Sequence, residues 1–184
     1  MADAKITELA ALGATPDDAD LLAIVDDVVG TATTKKITVS NFLSGALDLG
    51  GALSGDETWS GITIPGTAGA TIAVGDACYL ASTGKWLLND GIYDGTDTGF
   101  DKQLGICVLA GNDTDPTEML TYGKVRSAAF PSLTIGAPVY LSDTAGDLTV
   151  TQPTTSFHVT RIVGFGMTAE DLLFNPSNDW VSHV

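Results

Sequence analysis

The strongest constraint on the fold is a short stretch that the chain contains twice. The first copy reads Ile72-Ala-Val-Gly-Asp-Ala-Cys-Tyr-Leu80, and the second reads Leu133-Thr-Ile-Gly-Ala-Pro-Val-Tyr-Leu141. A Gly-containing turn and a second apolar run follow each copy, Trp86–Leu88 in one and Leu148–Val150 in the other. A strand, a Gly-containing turn and a returning strand are typical of a β-hairpin. Because one hairpin cannot bury its own apolar face, the repeat predicts two antiparallel units packed on each other.

Other apolar runs extend this β module. Gln103-Leu-Gly-Ile-Cys-Val108 is echoed loosely by Ile162-Val-Gly-Phe165. The alternating pattern from Trp59 to Ile64 predicts the first strand, which we expect Pro65-Gly66 to end in a turn. Further strands are expected in Thr117–Arg126 and Leu172–Phe174. Residues 59–184 are therefore predicted to form a compact antiparallel β barrel or sandwich with an internal duplication.

The first 45 residues have the pattern of a separate small unit. Leu21–Val25 and Lys35–Val39 read as the two strands of a hairpin, with short helical turns predicted over Lys5–Leu12 and Asn41–Leu47. Such an α/β hairpin unit has too little apolar surface to form a core alone, so we expect it to dock on another surface. The Gly- and Ser-rich residues 46–58 form a connector, which either touches a neighbouring surface or is a plain flexible linker.

The charge balance excludes several classes of partner. The chain has 23 acidic and 8 basic residues, a formal net charge of −15. Such a surface repels phosphate, so we expect binding neither to nucleic acid nor to an anionic membrane. The sequence has no apolar run long enough for a membrane span and no basic segment followed by an apolar signal region, which predicts a soluble chain without a secretion signal.

Residues that could carry chemistry are few. His158 and His183 have no ligand partners at zinc spacing, and the sequence contains neither a nucleophile elbow nor a phosphate-binding loop. Cys78 and Cys107 lie within apolar patterns typical of buried thiols, although a disulfide between them stays open. We therefore predict a protein that is not an enzyme and holds no metal or cofactor.

Acidic loops are the one feature with a possible ligand. They comprise Asn89-Asp90-Gly91 with Asp94, Asp97 and Asp101, and Asn112-Asp-Thr-Asp115 with Glu118. Oxygen-rich loops of this kind suit calcium, but their spacing does not match an EF-hand. Asp and Asn also favour exposed turns for conformational reasons. Both interpretations stay open from the sequence alone.

The order of short motifs in the first unit resembles a leader of tailed-bacteriophage virion proteins. The motifs are Lys5-Ile-Thr-Glu-Leu9, Thr15-Pro-x-Asp18, Asp20-Leu-Leu-x-Ile-Val-Asp26 and Thr33-Thr-Lys-Lys-Ile-Thr-Val-x-Asn41. The repeated Gly-x-x-Val/Cys-Tyr-Leu hairpins, with Asn175-Pro-x-x-x-Trp180, are similar to the β modules of head-decoration and fibre-attachment proteins. The leader occurs in tail-fibre, head-fibre and capsid-associated proteins, so it does not separate head from tail.

The resemblance implies a virion structural protein made in the host cytoplasm and carried on the outer surface of the particle. It implies a capsid decoration (cement) or head-fibre protein that binds the major capsid protein or another virion protein, as a homotrimer. A tail-fibre adaptor or host-receptor-binding module is the alternative. The residues expected to dock are the apolar side chains of the small unit and its adjacent basic pair, namely Leu21, Leu22, Ile24, Lys35, Lys36, Ile37, Val39 and Phe42.

Overall fold

The structure is a computed structural model that describes residues 21–26, 33–38, 49, 51–93 and 98–183, the first two ranges by their backbone only. The described residues form strands and no helix. In chain order the strands are β1 (Leu21–Asp26), β2 (Thr33–Thr38), β3 (Trp59–Thr67), β4 (Ala77–Leu80), β5 (Trp86–Leu88), β6 (Leu104–Leu109), β7 (Pro116–Arg126), β8 (Pro138–Leu141), β9 (Leu148–Thr149), β10 (Val159–Thr160), β11 (Ile162–Gly166), β12 (Asp171–Phe174) and β13 (Val181–Ser182).

The chain divides into two compact units, Met1–Ala46 and Leu47–Val184. In the first unit, β1 and β2 pair antiparallel, as expected for the two strands of a hairpin. The helical turns predicted on either side lie outside the described residues, so the α/β character of this unit stays a prediction.

The second unit is built on a curled, antiparallel, half-barrel sheet of nine strands. Its strands follow the order β5-β4-β6-β7-β12-β11-β8-β9, and β3 pairs with β7 beside this path. A separate small pair, β10 with β13, lies near the end of the chain. The mainly β, antiparallel character predicted from the sequence is confirmed, and the sheet is a half-barrel rather than a closed barrel or a sandwich.

The long strand β7 is the axis of this sheet. A strand has two edges, and β3 pairs with β7 along its whole length, from Trp59 opposite Val125 to Thr67 opposite Pro116. On the other edge, β6 pairs with the first part of β7 and β12 with the last part. The two copies of the repeat are therefore joined end to end along one edge of β7. The register shift in the β3–β7 ladder lies between these two halves, opposite Thr121.

The duplication predicted from the sequence is present in the backbone hydrogen bonds. In the first copy, Gly75 N–H donates to the carbonyl of Cys107 and Cys107 N–H donates to the carbonyl of Asp76, both at 2.9 Å. In the second copy the corresponding bonds run from Gly136 to Gly166, at 2.8 Å, and from Gly166 to Ala137, at 3.1 Å. The repeated residues therefore form the same strand entry twice.

The two copies share one hydrophobic core, as expected for hairpins that cannot bury their faces alone. It contains Tyr79, Leu104, Ile106, Leu120, Val125, Val139, Leu141, Val163, Leu172 and Phe174, with smaller or peripheral members. A second cluster on the other face of the first copy contains Ala68, Ile72, Cys78, Trp86, Cys107 and Met119. The first copy is thus packed on both faces.

The repeated hairpins present opposite faces to the shared core. Cys78 belongs to the second cluster, whereas its counterpart Val139 belongs to the shared core. The same holds for Leu80, which is 38% exposed, and Leu141, which is 1% exposed. One copy is therefore turned over relative to the other, although their ladders are alike.

One sequence-based expectation is wrong. Pro65-Gly66 does not form a turn, because β3 continues through both residues and pairs Pro65 with Glu118. Proline is tolerated there because β3 is an edge strand, where the missing N–H removes no ladder bond if it faces away from the neighbour. Gly66 is needed at this position because the Trp86 ring fills the space that a Cβ would occupy.

Candidate functional site

The predicted docking residues lie partly within the described hairpin. The register of β1 and β2 places Leu22 opposite Ile37, Ile24 opposite Lys35 and Leu21 opposite Thr38. Lys36 lies one position from Lys35, opposite Ala23, so six of the eight predicted residues are in one two-stranded ladder. Val39 and Phe42 lie outside the described residues. The docking role of the set stays a prediction.

The segment before β3 contacts the β module rather than running free of it. Lys124 Nζ donates to the carbonyl of Gly51, and the Asp56 carboxylate accepts a bond of 2.7 Å from the backbone N–H of Ala128. These contacts cover the described part of the connector, Leu49 and residues 51–58. Contact of the connector leucines, Leu47, Leu49 and Leu53, with a neighbouring surface stays a prediction.

An acidic cleft of about 230 Å³ lies where the entry to β4 meets the β8–β9 turn. Its lining residues are Gly75, Asp76, Ala129, Phe130, Pro131, Gly146, Asp147 and Leu148. The carboxylate of Asp76 accepts a bond of 2.8 Å from the backbone N–H of Ala73. Burial raises the pKa of Asp76, the Ala73 bond opposes this, and the nearby charge of Asp147 raises the pKa further.

The sequence reasoning did not single out this pair of carboxylates. The signal was a departure from the repeat, because Asp76 stands where the second copy has Ala137. Two carboxyl groups with different environments can divide acid and base roles or share a cation. Within the described residues, however, no group of three or more His, Cys, Asp or Glu is placed to hold a metal ion.

A polar groove of about 460 Å³, the seam groove, lies where the two copies meet on β7. Its lining residues are Asp101, Lys102, Gln103, Leu104, Thr121, Tyr122, Arg161, Asn175, Pro176 and Asn178. It exists because β6 and β12 are joined end to end along one edge of β7 and leave a gap between them. Amide, hydroxyl and charged groups converge there, a combination that suits a polar ligand.

Arg161 holds the walls of the seam groove together. Its side chain donates to the backbone carbonyls of Ser177, at 2.8 Å, Lys102, at 3.0 Å, and Phe100. The residue is only 4% exposed, and burial lowers the pKa of its guanidinium while the charge of Asp101 opposes this. The guanidinium is a tether between the loop before β6 and the segment after β12. No sequence motif indicated this role.

The acidic loops are only partly described. Asp94 and Asp97 lie outside the described residues, so the calcium hypothesis for the first loop stays open. At its start, Asn89 is fully buried and donates to the carbonyl of Thr98 at 3.0 Å, while its Oδ1 has no hydrogen-bond partner among the described residues.

In the second loop each carboxylate contacts a different group. Asp113 pairs with Lys85 at 2.7 Å, Asp115 accepts from the backbone N–H of Asn112 at 3.0 Å, and Glu118 accepts from the hydroxyl of Thr63 at 2.5 Å. These carboxylates do not converge on one point, so the described contacts favour the turn interpretation for this loop.

The two cysteines are separate, buried thiols. Cys78 and Cys107 are both free and fully buried, and Cys107 donates to the carbonyl of Leu109 at 3.2 Å. Burial raises the pKa of both thiols. A thiol held in its neutral form is a poor nucleophile and a poor metal ligand, so both residues are structural.

Comparison of the chain with protein-family models and with curated proteins finds no match. None of the described residues belongs to a helix with the length and apolar character needed to cross a membrane. A function for this chain must therefore be inferred from its own residues and geometry.

Proposed function

We propose that the protein is a structural component of a tailed-bacteriophage virion, namely a capsid decoration (cement) or head-fibre protein that binds and stabilises the assembled head. Its support is the order of short motifs before residue 46, from Lys5-Ile-Thr-Glu-Leu9 to Asn41. The proposed role is non-enzymatic, and the site of action is the outer surface of the particle, after synthesis in the host cytoplasm.

The observation that carries this proposal is the division of the chain into two compact units of unequal size. A small unit with a two-stranded ladder cannot bury much apolar surface by itself, whereas the larger unit has a continuous core. This division suits a protein with one part that attaches and another that forms an exposed body. The proposed partner of the attaching part is the major capsid protein or another virion protein.

The estimated free energy of docking is sufficient for binding. Burying the apolar side chains of the small unit on a partner, at about 1.5–3 kcal/mol each, gives a gross gain on the order of 10 kcal/mol. Side-chain ordering and lost rigid-body freedom offset much of this gain. Lys35 and Lys36 are adjacent cations in a chain of net charge −15, and they suit carboxylates on the docking surface.

Removing the small unit tests the attachment role directly. The full chain and a variant lacking residues 1–45 are mixed with particles that lack this protein, and the particles are sedimented. The full chain should bind and the truncated chain should stay in the supernatant, with an unchanged melting profile of its β module as the folding control. A folded truncated chain that decorates particles as well as the full chain would end the proposal for residues 1–45.

Charge reversal gives a sharper version of this experiment. Lys35→Glu with Lys36→Glu should weaken binding to particles at least tenfold, because two favourable contacts become repulsive. Lys85→Glu with Lys102→Glu is the matched control, since both lysines lie in the β module and are partly exposed. Equal loss in both variants would mean that net charge, and not the docking pair, controls binding.

The assembly proposed with this role is a homotrimer, the state implied by the resemblance. Light scattering behind size-exclusion chromatography should then give a multiple of three chain masses for the free protein or for the protein released from particles. A monomer under both conditions would contradict the trimer.

A tail-fibre adaptor or host-receptor-binding module is the second candidate, and the seam groove favours it. Gln103, Tyr122, Asn175 and Asn178 offer hydrogen-bonding groups around a cavity large enough for a small polar ligand. Antibody labelling of whole particles separates the two candidates, since the first requires the protein on the head and the second requires it on the tail.

A further inference from the structure

The outer edge of β3 is the longest strand edge without a neighbour in the described part of the second unit. One edge of β3 pairs with β7 from Trp59 to Thr67, and no described strand pairs with the other edge before the end of β3, where Trp86 of β5 bridges Ala68. Three large apolar side chains of β3 are also exposed, Ile62 at 53%, Ile64 at 43% and Trp59 at 37%. Exposed strand edges of this length readily accept another strand.

The hydrogen bonds at both ends of β3 show which of its backbone groups face outward. The carbonyl of Thr58 accepts from Arg126 N–H, and Ala68 N–H donates to the carbonyl of Asp115, both at 2.9 Å. In an antiparallel ladder, alternate residues bond toward the same neighbour. The groups of Gly61, Thr63 and Pro65 therefore face away from β7, and the proline nitrogen, which has no hydrogen, lies on this open edge.

Charge restricts what can pair there. The chain carries a net charge of −15, yet the stretch from Thr58 to Gly75 contains no charged residue. Two acidic copies of this chain repel each other least where their contact surface has few carboxylates. Natural edge strands are commonly protected by charged side chains or by proline, and β3 has no charged side chain and a single proline, Pro65.

We propose that β3 pairs antiparallel with β3 of a second copy of this chain, about a two-fold axis through Thr63. In this register Thr63 lies opposite Thr63 of the second copy, and the two residues exchange both backbone hydrogen bonds. Gly61 lies opposite Pro65 of the second copy, so Gly61 N–H meets a proline carbonyl. Because proline has no N–H, only one of the two backbone hydrogen bonds can form at this residue pair.

The side chains agree with this register. Ile62 lies opposite Ile64 of the second copy on the same face, so both exposed isoleucines of each copy become partly buried. The Glu118 side chain starts from β7, and its carboxylate accepts from the Thr63 hydroxyl at 2.5 Å. The two Glu118 carboxylates therefore lie near the axis, and salt screens their repulsion.

This pairing is independent of the proposed virion role. A two-fold contact gives assemblies with an even number of chains, and within a trimeric arrangement it joins one trimer to another. It is therefore a different contact from the threefold one. If a test rejects either the pairing or the virion role, the other proposal is unaffected.

A cysteine at the axis tests the register. In the proposed ladder the Thr63 Cα atoms are about 5.5 Å apart, within the range of a disulfide. Thr63→Cys in the full chain should form a disulfide-linked dimer at least tenfold faster than Thr67→Cys, because the two Thr67 positions are about 27 Å apart. The native thiols are buried and do not interfere. Equal rates for the two variants would overturn the register.

Mass measurement tests the contact without a cross-link. Sedimentation of the full chain at micromolar concentration should give an even multiple of the chain mass, and Ile64→Lys should halve it. Ile135→Lys is the matched control, since Ile135 is 75% exposed and lies outside β3. An odd multiple for the parent chain, or equal effects of the two variants with unchanged melting, would refute the pairing. Capture of a foreign strand by a monomeric parent would refute it as well.

Discussion

Gly75 donates its backbone N–H to the carbonyl oxygen of Cys107, which ties the entry of β4 to the far end of β6. Gly75 has a φ of +96°, a backbone conformation that residues with a Cβ rarely adopt. Its counterpart Gly136, with a φ of +74°, makes the same bond to Gly166. The two glycines are therefore required by the same backbone geometry in both copies.

The surroundings of these glycines differ, which gives the first prediction. A Cβ at Gly75 would lie 2.8 Å from the Ser127 hydroxyl, whereas a Cβ at Gly136 would meet nothing within 4 Å. Gly136→Val should lower the free energy of unfolding by about 1–2 kcal/mol through backbone strain alone, and Gly75→Val by about 2–4 kcal/mol. Urea unfolding measures both.

Thr134→Val is the control for this prediction, because Thr134 is exposed, lies two residues before Gly136 and does not have a positive φ. It should change the free energy of unfolding by less than about 0.5 kcal/mol. Equal losses for Gly75→Val and Gly136→Val would show that the contact with Ser127 is readily relieved.

The tether formed by Arg161 gives the second prediction. Arg161→Met removes three hydrogen bonds and leaves the carbonyls of Phe100, Lys102 and Ser177 without this donor. The free energy of unfolding should fall by about 3–5 kcal/mol, because a charged donor to several carbonyls is lost. Lys102→Met is the control and should have an effect below about 0.5 kcal/mol, since Lys102 is partly exposed. Similar stabilities for the two variants would contradict the tether.

The carboxylates of the acidic cleft give the third prediction. Because burial and then Asp147 raise the pKa of Asp76, this group favours folding below its unfolded pKa of about 3.9, and the benefit is lost as the pH rises through the folded value. Asp147→Asn should lower the pKa of Asp76 and raise stability at pH 7 by a few tenths of a kcal/mol. NMR titration of the carboxyl carbon measures the shift.

Asp179→Asn is the control for the cleft, because Asp179 is exposed and lies outside it. It should leave the pKa of Asp76 unchanged. A shift of equal size in both variants would mean that Asp76 responds to net charge and not to its neighbour in the cleft.

The buried thiols give the fourth prediction. Burial raises the pKa of Cys78 and Cys107. Both thiols therefore stay protonated in the folded chain at pH values at which they ionise in the unfolded chain. Stability should therefore fall as the pH rises above about 8.5, with a contribution of up to about 1.4 kcal/mol per pH unit for each thiol. Urea unfolding between pH 7.5 and 9.5 measures the slope, and Cys78→Ala should make it shallower.

Thiol accessibility checks the same arrangement by another route. A thiol reagent should modify both cysteines only after unfolding, without prior reduction, because the structure holds them as free thiols. Rapid modification of the folded chain, or a requirement for reductant, would contradict this arrangement.

The sequence by itself determined the two hairpins of the β module and the similarity between them. A period of two, turn glycines and the repeated Gly-x-x-x-Tyr-Leu are local signals, so the β4–β5 and β8–β9 pairs could be predicted before any fold was known. The glycine requirement at Gly75 and Gly136 is also local, because it arises from backbone φ.

Tertiary structure decided which face of each hairpin is buried, and which polar residues meet. A strand has two faces, and both faces of these hairpins carry apolar residues. The sequence of each hairpin therefore does not determine that Val139 packs in the shared core while Cys78 packs in the second cluster. Pro65 is a turn residue by composition but a strand residue in the fold, because it stands on an edge.

The cleft at Asp76 and the groove at Arg161 exist only where the two copies meet. Each cavity is lined by side chains that are far apart in the sequence, and no sequence motif predicts that they meet. Local periodicity therefore determined the elements of this protein, whereas the packing of one copy against the other determined the acidic cleft and the seam groove, because both cavities form between elements and not within them.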